Sequence, residues 1–313
     1  MAKPALLAPA RMARVRQIQV RTRGAVQGAL QGAYRSRFRG AGLEFEEVRP
    51  YQPGDEVRTI DWNVTARTGE PHVKSYIEDR QLVLQVIVDT SASMNFGTAE
   101  RSKREVAAEL TALLAFAAAG QHDQVGLTLF SDVPGEHLAP DTGPAHVQRL
   151  VHEVFFPQPK PRARQTRGEA TGLAAVCEHT LKHLKRRAIV FVIGDFLDAE
   201  RGDWTDALSK LSQRHDVMCL RVYDALEERL PNAGIMLLEG MESEFGQGDP
   251  VEVDTSSARV REIWASRAAA RRGSLVDCTR RAQVDLVEVR TDEDPADALV
   301  AAFRRRAMRG GLA

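Results

Sequence analysis

From Gln81 onward, helical and strand patterns of apolar residues alternate along the chain. Leu82-Val83-Leu84-Gln85-Val86-Ile87-Val88 is an almost unbroken apolar run rich in β-branched residues. Such a run predicts a strand buried on both faces, as in a parallel sheet. Ala188-Ile189-Val190-Phe191-Val192-Ile193 repeats the pattern. Further strands are expected over Val125–Phe130, Val217–Tyr223 and Val284–Val289, with Ile235–Glu239 and Val251–Val253 as a hairpin. Helical periodicity covers Arg101–Ala119, Ala145–Phe155, Leu173–Leu184, Trp204–Gln213, Ser257–Cys278 and Pro295–Arg306. Strands alternating with helices imply a doubly wound, mostly parallel sheet with helices on both faces, an α/β fold.

Upstream the pattern changes. Residues 1–36 are basic, with Lys3, Arg11, Arg14, Arg16, Arg21, Arg23 and Arg35 and no acidic residue. Residues 37–80 are polar, with short strand candidates Glu44–Val48 and His72–Ile77 separated by turn signals at Pro53-Gly54 and Gly69-Glu70-Pro71. The expected organisation is a basic arm (1–36), a small β-containing lobe packed on the main domain (37–80) and the α/β domain itself (81–309). Asp55, Arg58, Asp61 and Arg67 surround Trp62. They read as a buried ion-pair network under a packed indole, or else as a partner surface.

The candidate chemistry lies where the first strand ends. Asp89-Thr90-Ser91-Ala92-Ser93 follows the apolar run directly, and in open α/β sheets ligands bind at the carboxyl ends of strands. One carboxylate and two hydroxyls at i, i+2 and i+4 can face one small volume. These are hard oxygen donors of the kind that suit Mg²⁺ or Mn²⁺. The same loop could instead cap the helix that follows, since Asp and Ser are good N-caps. A second carboxylate, Asp195, follows the second buried strand, and Thr171 precedes an Ala-rich helical stretch.

A D-x-S-x-S loop, a Thr at a helix start and an Asp after a later strand together resemble the metal-ion-dependent adhesion site of the von Willebrand factor A fold. The resemblance implies that Asp89, Ser91, Ser93, Thr171 and Asp195 hold the ion, with Thr166 an alternative to Thr171. It also implies one open position for a partner's carboxylate. Gly194 departs from the Ser or Thr often found before the Asp. The segment from Arg37 to Gln81 narrows the family. Gly-x-Gly-Leu-Glu-Phe, Arg49-Pro50-Tyr51, Pro53-Gly54-Asp55-Glu56-Val57-Arg58, Ile60-Asp61-Trp62 and Ala66-Arg67 are similar to domain-of-unknown-function family fifty-eight. Its bacterial members accompany MoxR-type AAA+ ATPases, and the likeness covers roughly residues 37–309. It implies an adaptor or co-chaperone with no established catalysis.

Composition limits the alternatives. Charged residues make up 27% of the chain and balance to a net charge of zero, so bulk charge favours no partner. Cys177, Cys219 and Cys278 are far apart and form neither a disulfide framework nor a zinc pattern; the first two are expected to pack as small hydrophobes. No stretch approaches the about 20 apolar residues that span a bilayer, and no signal peptide is evident, so the expected compartment is the cytoplasm. The eight histidines lack zinc spacing and most are expected to face solvent, although His179 and His183 share a helix face. Lys182–Arg187 is a basic run that complements a helix end. There is no P-loop and no nucleophile elbow, so an enzyme is not expected. The leading expectation is a Mg²⁺-dependent (or Mn²⁺-dependent) binding module. It would join a MoxR-type ATPase to a protein client, with an Asp or Glu completing the metal shell. The alternatives are a nucleic-acid-associated protein using the basic arm and a metal-dependent phosphoester hydrolase.

Overall fold

The computed structural model describes residues 43–52, 55, 60–78, 81–156, 172–197, 204–238 and 251–310. The basic arm, Arg58, Thr166 and Thr171 lie outside them. Strand β1 (Leu43–Pro50) pairs antiparallel with β2 (His72–Glu78), and helix α1 (Trp62–Thr68) lies between them in sequence. Asp61 starts α1: its Oδ1 accepts from the backbone N–H of Asn63 and of Val64. Gly69 ends it at φ 79°, a left-handed conformation that costs glycine little.

The lobe corrects one expectation. Trp62 is 67% exposed and is not a packing residue. Asp55 pairs with Arg49 at 2.7 Å, and Asp61 caps a helix that the sequence pattern did not show. With seven residues and none of them buried, α1 has no apolar stripe to announce it.

The main domain runs β3 (Val83–Asp89), α2 (Lys103–Ala119), β4 (Gln124–Phe130), β5 (Pro134–Asp141), α3 (Pro144–Phe155), α4 (Gly172–His183), β6 (Ile189–Gly194), α5 (Trp204–Arg214), β7 (Asp216–Tyr223), α6 (Ala225–Glu228), β8 (Ile235–Leu238), β9 (Val251–Asp254), α7 (Ala258–Arg281), β10 (Asp285–Arg290) and α8 (Pro295–Gly310). The six-stranded sheet has the order β10-β7-β6-β3-β4-β5. Every pairing in it is parallel except β4–β5. Strand β5 was not expected. Pro134, Gly135 and Pro140 break its pattern, and such residues are tolerated because β5 is an edge strand. β8 and β9 form the expected hairpin.

Each central strand serves two cores because successive side chains point to opposite faces. From β3, Leu84, Val86 and Val88 enter one cluster with α2, α3 and α8, whereas Ile87 enters another with α4, α5 and α7. In β6, Phe191 and Ile193 join the first cluster, and Val190 and Val192 the second. This double burial explains the continuous apolar runs and yields a layering of helix, sheet and helix. Cys177 and Cys219 are fully buried, as expected. Burial pushes the Cys177 thiol up to about 12 and raises Cys219 as well, so both remain neutral packing groups.

Candidate metal-ion site

The segments that carry the two carboxylates of interest are neighbours because β3 and β6 are parallel and in register. Val88 pairs with Ile193, so Asp89 lies beside Gly194. A Cβ at 194 would stand 3.1 Å from the Asp89 Cβ and 3.4 Å from its Oδ2. Glycine therefore leaves the Asp89 carboxylate its room. Asp195 follows at once and is 4% exposed. The chain turns behind it through Phe196 at φ 54°, a left-handed conformation that is costly for an aromatic residue. Phe196 then packs beside the buried Trp204.

The loop after β3 is tied down on both sides. The Thr90 backbone N–H and hydroxyl both donate to the Phe130 carbonyl, at 2.7 and 2.8 Å. Arg104 donates to the Thr90 and Ser91 carbonyls at 2.9 and 3.2 Å. Burial lowers the Arg104 pKa, and the Asp89 carboxylate offsets part of that. Ser91 N–H donates to Asp89 Oδ1 at 2.8 Å, and the Ser91 and Ser93 hydroxyl oxygens are 3.0 Å apart. Asp89, Ser91 and Ser93 thus converge.

The capping alternative does not describe this loop. Ser91 sits at the start of a 3-10 turn, Ala92–Asn95, without a side-chain cap bond. Helix α2 is capped instead by Ser102, whose hydroxyl accepts from Glu105 N–H while the Glu105 carboxylate accepts from Ser102 N–H. The loop hydroxyls face each other rather than a helix.

Asp195 has a different environment from Asp89. Its Oδ2 accepts from the Lys103 ammonium at 2.7 Å, and its Oδ1 from Leu197 N–H at 3.3 Å. Lys103 is fully buried, and its Nζ also reaches Glu227 at 2.5 Å. Burial opposes the ammonium charge. The two carboxylates outweigh burial and hold the pKa above the ordinary lysine value. Glu227 in turn belongs to the capping box of α6, with Asp224 as the cap. Asp224 is fully buried and accepts from Thr98 N–H, the Thr98 hydroxyl and the Thr291 hydroxyl at 2.9, 2.7 and 2.8 Å.

The sequence reading overlooked Lys103, Arg104, Glu227 and Asp224. Lys103 left one signal: a cation in the first turn of a helix, where the macrodipole disfavours it. That anomaly calls for a nearby anion.

The donor set fits a hard cation in part. Asp89, Ser91 and Ser93 offer one carboxylate and two hydroxyls from one loop, the donor type Mg²⁺ takes while keeping several waters. Asp195 could share in such a shell only alongside Lys103. Among the described residues no group of three or more His, Cys, Asp or Glu could hold a metal. Gly172, next to Thr171 in sequence, packs its backbone against the Ser131 carbonyl so closely that a Cβ would lie 1.7 Å from that oxygen. Helix α4 thus begins at the carboxyl end of β4.

His122, His152 and His183 are exposed, whereas the other histidines are less solvated than expected. The His137 ring lies 5.1 Å from His179 and 4.8 Å from His183, and the last two stack at 4.0 Å. His215 is 2% exposed, and among the described residues neither of its ring nitrogens has a hydrogen-bond partner.

The chain has both sequence relatives and structural neighbours. Uncharacterised proteins from Mycobacterium tuberculosis and Mycobacterium bovis are each 32% identical over 305 residues, covering 96% of this chain and 92% of theirs. A solved conserved hypothetical protein, BatB from Bacteroides thetaiotaomicron, overlaps 74% of this chain and 100% of its own, with a TM-score of 0.42 and 12% identity. The SpRpn10 von Willebrand factor A domain overlaps 71% of this chain and 95% of its own, with a TM-score of 0.34 and 10% identity. Both overlaps are too loose to bear on residue roles. Among the described residues no helix is long and apolar enough to cross a membrane. The family described as "Protein of unknown function DUF58" matches residues 47–274, and the chain belongs to that family.

Proposed function

We propose that this protein is a binding module that recognises an acidic group on another protein through a Mg²⁺ or Mn²⁺ ion held at Asp89, Ser91 and Ser93. Asp195 and Thr171 would complete the shell. The observation that carries the reading is the convergence of Asp89, Ser91 and Ser93 on a loop pinned by Arg104 and Phe130, beside a second carboxylate. When bound, the ion would supply a partly desolvated positive charge with an open position for a partner's Asp or Glu. The chain's own residues set the rest. Arg104 and Thr90 fix the loop, and Gly194 leaves room for the Asp89 carboxylate. Lys103 neutralises Asp195, so the surroundings of an ion would carry less negative charge than two free carboxylates. That favours weak, exchangeable binding suited to a reversible partner. Among the described residues the Ser91 and Ser93 hydroxyls bond each other and no side-chain base, which favours gripping over catalysis.

The proposed partner is a MoxR-type AAA+ ATPase or the client it acts on. This step is an analogy from the family and weighs less than the chemistry. The cytoplasm follows from the same partner.

Calorimetry with Mg²⁺ tests the first step. Wild type is expected to bind and Asp89→Ala to lose binding. Equal affinity in both proteins refutes the site. Co-purification of the ATPase with and without EDTA tests the second. An ATPase that never binds in Mg²⁺, with or without nucleotide, removes the adaptor reading.

A further inference from the structure

A cavity of about 520 Å³ opens beside the Asp89–Ser93 loop. Ser93 forms part of its wall, and so does Glu227, the second carboxylate on Lys103. The remaining lining is largely apolar and comes from Phe96 and Leu197, which follow β3 and β6, and from α6, Leu230, β8 and α7. Leu230, Leu237 and Trp264 are among it. The Trp264 indole N–H donates to the Leu226 carbonyl at 2.9 Å, which fixes the ring. The volume falls in the range of ligand-binding pockets. Its place is the carboxyl end of the sheet, where α/β folds bind.

Two observations identify the occupant. Arg271 lines the cavity. The neighbouring Arg272 pairs with Glu288 at 2.6 Å, whereas Arg271 forms no ion pair among the described residues. A guanidinium beside an apolar cavity selects an anionic, apolar ligand. The rim is also apolar well beyond the cavity. Ile235 is 70% exposed, Leu237 59% and Val251 60%, all on the β8–β9 hairpin. Leu237 belongs to both surfaces. A small metabolite would fill the cavity and leave that strip in water. A polypeptide can cover both, as partners cover apolar patches rimmed by polar groups.

We infer that the cavity receives a bulky aliphatic or aromatic side chain from an acidic segment of a partner polypeptide, with a carboxylate of that segment drawn to Arg271. The inference rests on the metal-dependent reading, because Ser93 belongs to both sites. It makes the recognised element a short acidic–apolar motif rather than a lone carboxylate. The ion would read one end of the motif and the cavity the other.

The test is fluorescence anisotropy of labelled Gly/Ser peptides in Mg²⁺, with the full chain. Each peptide carries one Glu or Asp and one Leu, Phe or Trp at every spacing up to a helical turn. Some of these are expected to bind, and to lose binding when the acid becomes Gln or the apolar residue Ser. Leu237→Asp and Arg271→Gln should each weaken binding by roughly tenfold or more, in the range of interface hot spots. Leu237 is exposed and Arg271 half-buried, and circular dichroism checks that the variants fold. If no peptide binds, or both variants bind like wild type, the inference is overturned. Binding that survives EDTA and Asp89→Ala but falls in Leu237→Asp upholds the cavity and removes the metal reading. Binding lost only in Asp89→Ala does the reverse.

Discussion

Lys103 is the most consequential single residue beside the candidate site. Its ammonium is buried between Asp195 and Glu227, and a buried charge that loses its partner is strongly destabilising. Lys103→Met should cost roughly 3–5 kcal/mol in denaturant unfolding, because it strands two carboxylates. Lys103→Met combined with Asp195→Asn should recover part of that loss. If the single variant unfolds like wild type, the ion pair is not structural. His215 gives a pH prediction. Burial, then Arg214 and Arg187, hold its pKa down to about 4. The folded protein thus keeps a neutral ring while the unfolded chain takes up a proton near pH 6.5. Stability should be full above about pH 6.5 and fall as pH drops toward 4, with no further loss from this group below that. His137 and His179 are also lowered, by burial first and then by neighbouring positive charge, and act in the same direction. Thermal melts of wild type and His215→Leu between pH 7 and 4 should separate its share. A slope unchanged by His215→Leu contradicts the assignment.

Elements differ in how their ends and faces are specified. Helix α2 carries a full capping box and buries most of its length, so its position under the β3 loop is fixed at both levels. Helix α1 buries none of its residues and is specified at its ends, by Asp61 and Gly69. Asp61→Ala should destabilise by about 1 kcal/mol through the lost cap. Trp62→Ala should change stability by less than about 0.5 kcal/mol, because its ring is in water. Chemical denaturation of both variants checks this order, and a larger loss at Trp62 would mean that the ring packs in solution. Strand β5 shows the converse case. Its prolines hide it from a propensity reading, yet pairing with β4 and an edge position make it a strand.

At the scale of the whole molecule, two apolar cores on either face of one sheet hold the fold without help from an ion. EDTA should therefore leave the melting temperature within a degree or so, while abolishing Mg²⁺-dependent partner binding. A large drop in EDTA would show that the metal is structural. The sequence alone determined the doubly buried strands β3 and β6, because a strand covered on both faces must be apolar at nearly every position. It also determined that Asp89, Ser91 and Ser93 share one loop, since their spacing is local. Tertiary structure decided what lies between distant segments. The register of β3 against β6 sets Asp89 beside Gly194. The first turn of α2 brings Lys103 to Asp195, 92 positions away in sequence, and to Glu227. The same packing leaves Trp62 in solvent and gathers three histidines between β5 and α4. Charge pairing and burial depend on which faces meet, and a one-dimensional pattern records the period of a face but not its opposite number.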